Sequence, residues 1–132
     1  MIFLDTDTLS YFLSGNPSVV DKMSEAIYNN EQICLTNINV YEFLKGLRYK
    51  SMKNEEQEFS DFLKNVAVFS LDDDTVQIAA DIYADLRKLG ISIGDADILI
   101  AAIVITNKGK LITNNTRHYN NINGLIIENW YS

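Results

Sequence analysis

The chain has 132 residues, 47% of them hydrophobic, with one proline and one cysteine and a formal charge of −7. That length suits one domain spanning 1–132 that buries its core without staples, and the composition excludes a disordered chain. No apolar run approaches the roughly 20 residues of a membrane span, and no basic-then-apolar leader opens the sequence, which predicts a cytoplasmic protein. The acidity argues against coating nucleic acid but not against cutting it, because a carboxylate-lined metal site concentrates negative charge where the chemistry occurs.

In chain order, Ile2–Asp5 reads as a buried strand that ends on a carboxylate. Thr8–Leu13 reads as a short helix stopped by Gly15-Asn16-Pro17, and Pro17 suits the first turn of the next helix, built on Val19, Val20, Met23 and Ile27. Ile33–Thr36 is a second strand and holds Cys34, an inert core thiol with no basic neighbour to lower its pKa. Asn39 to about Lys53 and Glu55–Leu63 follow helical spacing, and Val66–Leu71 makes a third strand. Asp72-Asp73-Asp74 then suits the N-terminus of an amphipathic helix ended by Gly90. Asp95–Thr106 is apolar on nearly every face and therefore a buried helix. Leu111–Thr113 is a fourth strand, Asn114–His118 a polar cluster, and Leu125–Glu128 a last strand. Strands that alternate with helices predict a three-layer α/β domain whose central parallel sheet of four or five strands is flanked by helices.

The acidic residues at element ends are the candidate chemistry. Ligands of open parallel sheets bind beyond the carboxyl ends of the strands, where Asp5 would emerge. Asp97 enters the first turn of an apolar helix and needs a partner, which the helix N-terminus supplies in part and a divalent metal shared with Asp5 would supply more strongly, while Asp95, two positions earlier, suits the N-cap after Gly94. Glu42 lies three residues after Asn39, a spacing that fits a capping pair, and one turn before Gly46, where the helix surface is open to a ligand. Lys45 and Arg48 suit phosphates or, as readily, a solvated surface. Asn115 follows the fourth strand as Asp5 follows the first, and His118 reads as a surface residue. With no glycine-rich phosphate loop and no cysteine–histidine spacing, an all-oxygen cluster favours Mg²⁺ or Mn²⁺ and phosphate chemistry.

Leu4-Asp5-Thr6, Glu42 in Tyr41-Glu42-Phe43-Leu44-Lys45-Gly46, Asp97 in Ile93-Gly94-Asp95-Ala96-Asp97-Ile98, and Thr113-Asn114-Asn115-Thr116-Arg117 together resemble PIN-domain ribonucleases. Within that family the chain looks like the VapC toxins of type II toxin–antitoxin pairs. The resemblance implies a PIN-like fold, usually homodimeric, that cleaves RNA with Mg²⁺ or Mn²⁺ and is held inactive by a VapB-type antitoxin. It places the acidic site on Asp5, Glu42 and Asp97, with Asp5 and Asp97 as direct metal ligands and Glu42, Asp95 and Asn115 as further candidates. Asn115 stands at the family's fourth, often acidic, position, and Asp7 where asparagine is common. Thr6, Lys45, Arg48, Thr113 and Arg117 are the substrate-binding candidates. The Thr113–Arg117 segment is similar to that of VapC toxins acting on the anticodon loop of initiator tRNA, which implies a tRNA substrate. Two rival readings stand beside this one. Leu4-Asp5-Thr6-Asp7-Thr8 also matches the first motif of haloacid-dehalogenase-type phosphatases, where Asp5 would attack phosphorus, and a PIN-like binding module would need the carboxylates only for structure.

Overall fold

Every connection between sheet strands passes through at least one helix, so the strands all run the same way. The computed structural model describes residues 1–132, as β1 (Ile2–Leu4), α1 (Thr6–Leu13), α2 (Pro17–Tyr28), β2 (Ile33–Thr36), α3 (Asn37–Tyr49), α4 (Lys53–Leu63), β3 (Ala67–Phe69), α5 (Asp73–Lys88), α6 (Asp95–Thr106), β4 (Lys110–Ile112), α7 (Thr116–Tyr119) and β5 (Ile126–Glu128). The sheet is parallel with the order β3-β2-β1-β4-β5, and β1 sits at its centre with Ile2 in register with Ile33 and Lys110. The chain fills one half of the sheet, then crosses back beyond β1 to fill the other. The loops therefore diverge between β1 and β4, which opens a crevice at their carboxyl ends.

The strand period of two divides the core into layers. Ile2, Leu4, Ile33, Leu35 and Ile112 pack with Leu9 of α1, Val19 and Met23 of α2, Leu47 of α3 and Phe59 of α4. Phe3, Cys34 and Leu111 face the opposite side, against Ala79, Ile82 and Leu86 of α5, the apolar body of α6 and Tyr119 of α7. In α6, Ile98 and the run Ile100–Val104 are all buried, and each large aliphatic among them contributes about 1.5–3 kcal/mol relative to exposure. This is the three-layer α/β arrangement that the alternating pattern predicts.

Local chemistry accounts for most boundaries. Asn16 accepts the Val19 N–H at 3.1 Å and Pro17 opens α2, while Asp72 accepts the Thr75 N–H at 2.8 Å at the start of α5. Gly90, with φ of +74°, follows the end of α5, a conformation that costs other residues more. Several boundaries differ from expectation by a few residues, and three of the differences bear on the site. α1 begins at Thr6 because Asp5 itself is its N-cap, α3 starts at Asn37 behind a Thr36 cap, and the polar cluster after β4 winds into the four-residue α7. The cap of α6 is Gly94, and no side chain bonds there, so Asp95 is not the N-cap that its position suggests.

Candidate active site

The crevice at the carboxyl ends of β1 and β4 holds a cavity of about 230 Å³ lined by Asp5, Thr6, Asp7, Asn39, Glu42, Asp97, Ile100, Asn115 and Tyr119. Each acid arrives on a different element: Asp5 at the β1–α1 junction, Glu42 from α3 and Asp97 from the first turn of α6. Residues 37 and 92 positions apart from Asp5 are thus brought to one space by the sheet order. A second groove of about 380 Å³ between α1, α3 and α4 shares Thr6, Asp7 and Glu42 with it and runs past Gly46.

Asp5 is only 7% exposed, and its Oδ1 accepts the Thr8 N–H at 2.8 Å. Burial pushes its carboxyl above the ordinary range. The Thr113 hydroxyl and the Thr8 N–H and hydroxyl oppose that rise, and the charge of Asp7 adds to it. Glu42 Oε1 accepts the Thr6 hydroxyl at 2.8 Å, and the Asn39 amide donates to the same Thr6 oxygen at 3.1 Å. The capping pair expected between Asn39 and Glu42 does not form. Thr36 caps the helix instead, and the two residues meet through Thr6.

Asp97 has a partner on each oxygen. The Tyr119 hydroxyl donates to Oδ1 at 3.1 Å, and His118 Nδ1 lies 3.0 Å from Oδ2. Tyr119 is 3% exposed, and burial first, then the charge of Asp97, holds its phenol far above the ordinary value, with Asp5 and Glu42 adding to the effect. It therefore stays protonated and can donate. His118, expected as a plain surface residue, is instead half-buried against Asp97. Nothing in the local pattern separates these two from a polar loop. Only their position three and four residues after Asn115, once that segment coils, turns them toward Asp97.

The other candidates are distributed as follows. Asn115 is exposed and lines the cavity beside Asp97. Asp95 turns away, into a separate groove with Tyr83, Arg87 and Ile91. Thr113 is fully buried, so its hydroxyl serves the Asp5 carboxyl and accepts the Asn115 N–H at 3.0 Å rather than meeting a solute. Arg48 pairs with Glu56 at 3.0 Å and Lys45 stands over the Tyr41 ring at 5.0 Å, and neither lines the cavity. Arg117 is exposed on α7 and does not line it either. Thr6 and Asp7 do.

As donors, Asp5, Glu42, Asp97 and Asn115 offer hard oxygens alone, the set that Mg²⁺ or Mn²⁺ takes and that Zn²⁺ sites enriched in sulfur and nitrogen do not resemble. The side chains do not close on one another as a ready-made cage of three ligands. Three ionised carboxylates facing one space repel, and a cation between them would offset that repulsion. The donor set fits such an ion by chemistry, with the carboxylates lining the cavity it would enter.

Comparison with known proteins identifies the family. Residues 2–123 match the PIN domain family. A ribonuclease VapC2 of Haemophilus influenzae is 30% identical over 96% of both chains, and a tRNA(fMet)-specific endonuclease VapC of Salmonella typhimurium is 26% identical over 96% of both. The solved structure of VapBC2 from Rickettsia felis, bound to a DNA fragment from its promoter, superposes with a TM-score of 0.90 over 98% of this chain and 99% of that one, at 25% identity. No helix is long and apolar enough to cross a membrane. With three acids gathered at the switch point of a 3-2-1-4-5 parallel sheet and a match along nearly its whole length, the chain belongs to the PIN-domain family, among the VapC ribonucleases.

Proposed function

We propose that residues 1–132 act as one PIN domain, a metal-dependent endoribonuclease that serves as the toxin of a VapBC-type pair in the cytoplasm. The observation that carries this reading is the meeting of Asp5, Glu42 and Asp97, from three separate elements, on one cavity. Asp5 and Asp97 would hold Mg²⁺ or Mn²⁺, with Glu42 and Asn115 as further candidate ligands on the same cavity. When bound, the ion supplies a lowered pKa for water and neutralises charge that grows on the phosphoryl oxygens. The chain's own residues set the frame. The Thr8 N–H holds Asp5, the Tyr119 hydroxyl holds Oδ1 of Asp97, and the Thr6 hydroxyl holds Oε1 of Glu42. Glu42, on the α3 side of the cavity, would take a proton from the attacking water.

The Salmonella relative's name supports tRNA as the substrate, and the VapBC titles support a VapB-type antitoxin as partner; the homodimer rests on the family resemblance alone. The phosphatase reading, whose metal motif Gly94-Asp95-Ala96-Asp97 superficially resembles, loses support because Asp95 faces another groove than Asp97. Purified, antitoxin-free protein incubated with total tRNA is expected to cleave it only when Mg²⁺ or Mn²⁺ is added, and Asp5→Asn and Asp97→Asn variants are expected to be silent. Equal cleavage by the variants, or none by the wild type with either ion, overturns the proposal. Asp5-dependent hydrolysis of a small phosphomonoester would reinstate the phosphatase.

A further inference from the structure

We infer that Asn39 is a positioning residue for Glu42, acting through Thr6 along a hydrogen-bond chain whose direction is set by the backbone. The inference rests on the proposed ribonuclease function, in which Glu42 faces the reacting phosphate.

The chain starts at the Asn39 backbone N–H, which can only donate and does so to Thr36 Oγ1 at 3.1 Å. With that oxygen accepting, the Thr36 hydroxyl hydrogen goes to Asn39 Oδ1 at 2.7 Å. The carbonyl end of the amide is thereby fixed toward Thr36, so Nδ2 points the other way and donates to Thr6 Oγ1 at 3.1 Å. Thr6 has a single hydroxyl hydrogen, and it goes to Glu42 Oε1 at 2.8 Å. Four bonds in sequence thus carry one polarity from a helix N-terminus to a cavity carboxylate. No alternative arrangement satisfies the same donors, because reversing any hydroxyl would set two acceptors or two hydrogens against each other.

The helix cap does not require the Asn39 side chain. Thr36 already caps α3 through its hydroxyl, and Asn39, fully buried at the third position of the helix, has a poor intrinsic helix propensity. A buried carboxamide is tolerated only when both its ends are bonded. Here both are, and one of those bonds leads to the cavity. An aliphatic residue of the same size would fill the space, but it would leave the buried Thr36 hydroxyl hydrogen unpaired and Thr6 free to rotate. The product of the Asn39 side chain is therefore a Thr6 hydroxyl with one allowed orientation and a Glu42 carboxylate with one fixed oxygen.

Three variants test this. Asn39→Asp keeps the shape but removes the donor, so the Thr6 hydroxyl turns toward residue 39 and away from Glu42. Thr6→Val removes the link and Thr6→Ser keeps it. Asn39→Asp and Thr6→Val are each expected to lower kcat for RNA cleavage about tenfold, the usual effect of losing a partner that orients a site residue, with KM within about twofold. Thr6→Ser, which keeps the hydroxyl, is expected to recover most of the rate that Thr6→Val loses. In the Thr6→Val background Asn39→Asp is expected to cost less than about twofold more, because the path is already cut. A readout independent of turnover comes from the metal-free protein labelled with ¹⁵N. The Asn39 side-chain amide protons are expected to exchange slowly, and Thr6→Val to shift and expose them while distant core amides stay unchanged. Fully additive losses, a change in KM alone, or Asn39 amide protons that exchange freely in the wild type overturn the relay. If the wild type cleaves RNA and Glu42→Gln abolishes it while Thr6→Val and Asn39→Asp stay within twofold, the relay falls and the ribonuclease stands. If the wild type cleaves nothing, the ribonuclease reading falls and takes the catalytic role of Asn39 with it.

Discussion

Two turns at the same edge of the sheet end in an aspartate that caps the next helix, and they have opposite electrostatics. Asp5 accepts the Thr8 N–H at 2.8 Å and Asp72 accepts the Thr75 N–H at 2.8 Å, each from the residue three positions on. The Asp72 carboxyl is held below the ordinary value, by the Thr75 hydroxyl first and then by backbone N–H groups, whereas burial drives Asp5 above it. Capping therefore explains Asp72 and does not explain Asp5. A helix N-terminus is served by an exposed acid, and a cap sunk beside Glu42 and Asp97 works against folding until something positive joins it.

The sharpest way to break this comparison is Asp5→Asn. The amide oxygen still accepts the Thr8 N–H, so the cap survives, while the charge is gone. RNA cleavage is expected to fall about a thousandfold or more, a loss of about 4 kcal/mol of transition-state stabilisation. Stability at neutral pH, measured by urea unfolding with chelator present, is expected to rise. The same change that removes activity would then strengthen the fold. A loss of stability together with activity would mean that Asp5 is structural, as Asp72 is.

A control separates lost packing from lost chemistry. At Gly109, just before β4 and at the opposite end of the sheet, an added Cβ would lie 2.6 Å from Cε2 and 2.7 Å from Cδ2 of the buried Phe3 ring. Gly109→Ala is expected to destabilise the protein by about 2 kcal/mol, lowering Tm by roughly 7 °C. Below the transition, kcat is expected to stay at the wild-type value. A fall in kcat at temperatures where Gly109→Ala remains folded would show that the two ends of the sheet are coupled.

How much of this was legible follows the same division between local and distant causes. Asp5, Glu42 and Asp97 can be read from sequence because each sits at the start or on one face of an element whose period is clear. α6 was legible from its apolar run, as was β2 from Ile33–Thr36. The partners of the acids were not. His118 and Tyr119 reach Asp97 across 21 and 22 residues, through a four-residue helix too short and polar to show a period. Asn39 reaches Thr6 across 33 residues, and its spacing to Glu42 points as well to a helix cap as to a relay. Asp95 and Thr113 misled for the reverse reason. Their local context fits a cap and a strand end facing the site, yet helix phase turns Asp95 into another groove and the sheet buries Thr113 completely.

The two aspartates also predict opposite slopes of stability with pH. For Asp5 the folded pKa is raised above the ordinary 3.8, so within that window the folded state holds more protons than the unfolded one and stability falls as pH rises. For Asp72 the folded pKa is lowered below 3.8, so its contribution is present above that value and is lost as pH falls through the folded pKa. Urea unfolding of the metal-free protein from about pH 3 to pH 7 is expected to lose its downward component in Asp5→Asn and its upward component in Asp72→Asn.

The smallest expected effect is Asp72→Ala, which removes the cap without touching the cavity. The Thr75 N–H and hydroxyl both lose their acceptor, but the turn is exposed and water can replace part of what is lost. Tm is expected to fall by less than in Gly109→Ala, and the rate of RNA cleavage to be unchanged. Asp72→Asn, which keeps an acceptor for the N–H, should recover most of that fall, just as the amide of Asp5→Asn preserves its own cap. Placed side by side, the two Asp→Asn variants share the retained cap and differ only in whether the removed charge was buried at the cavity. A wild-type rate in the Asp72 variant beside a silent Asp5 variant would therefore assign the loss to that buried charge, because the capping bond is the same in both.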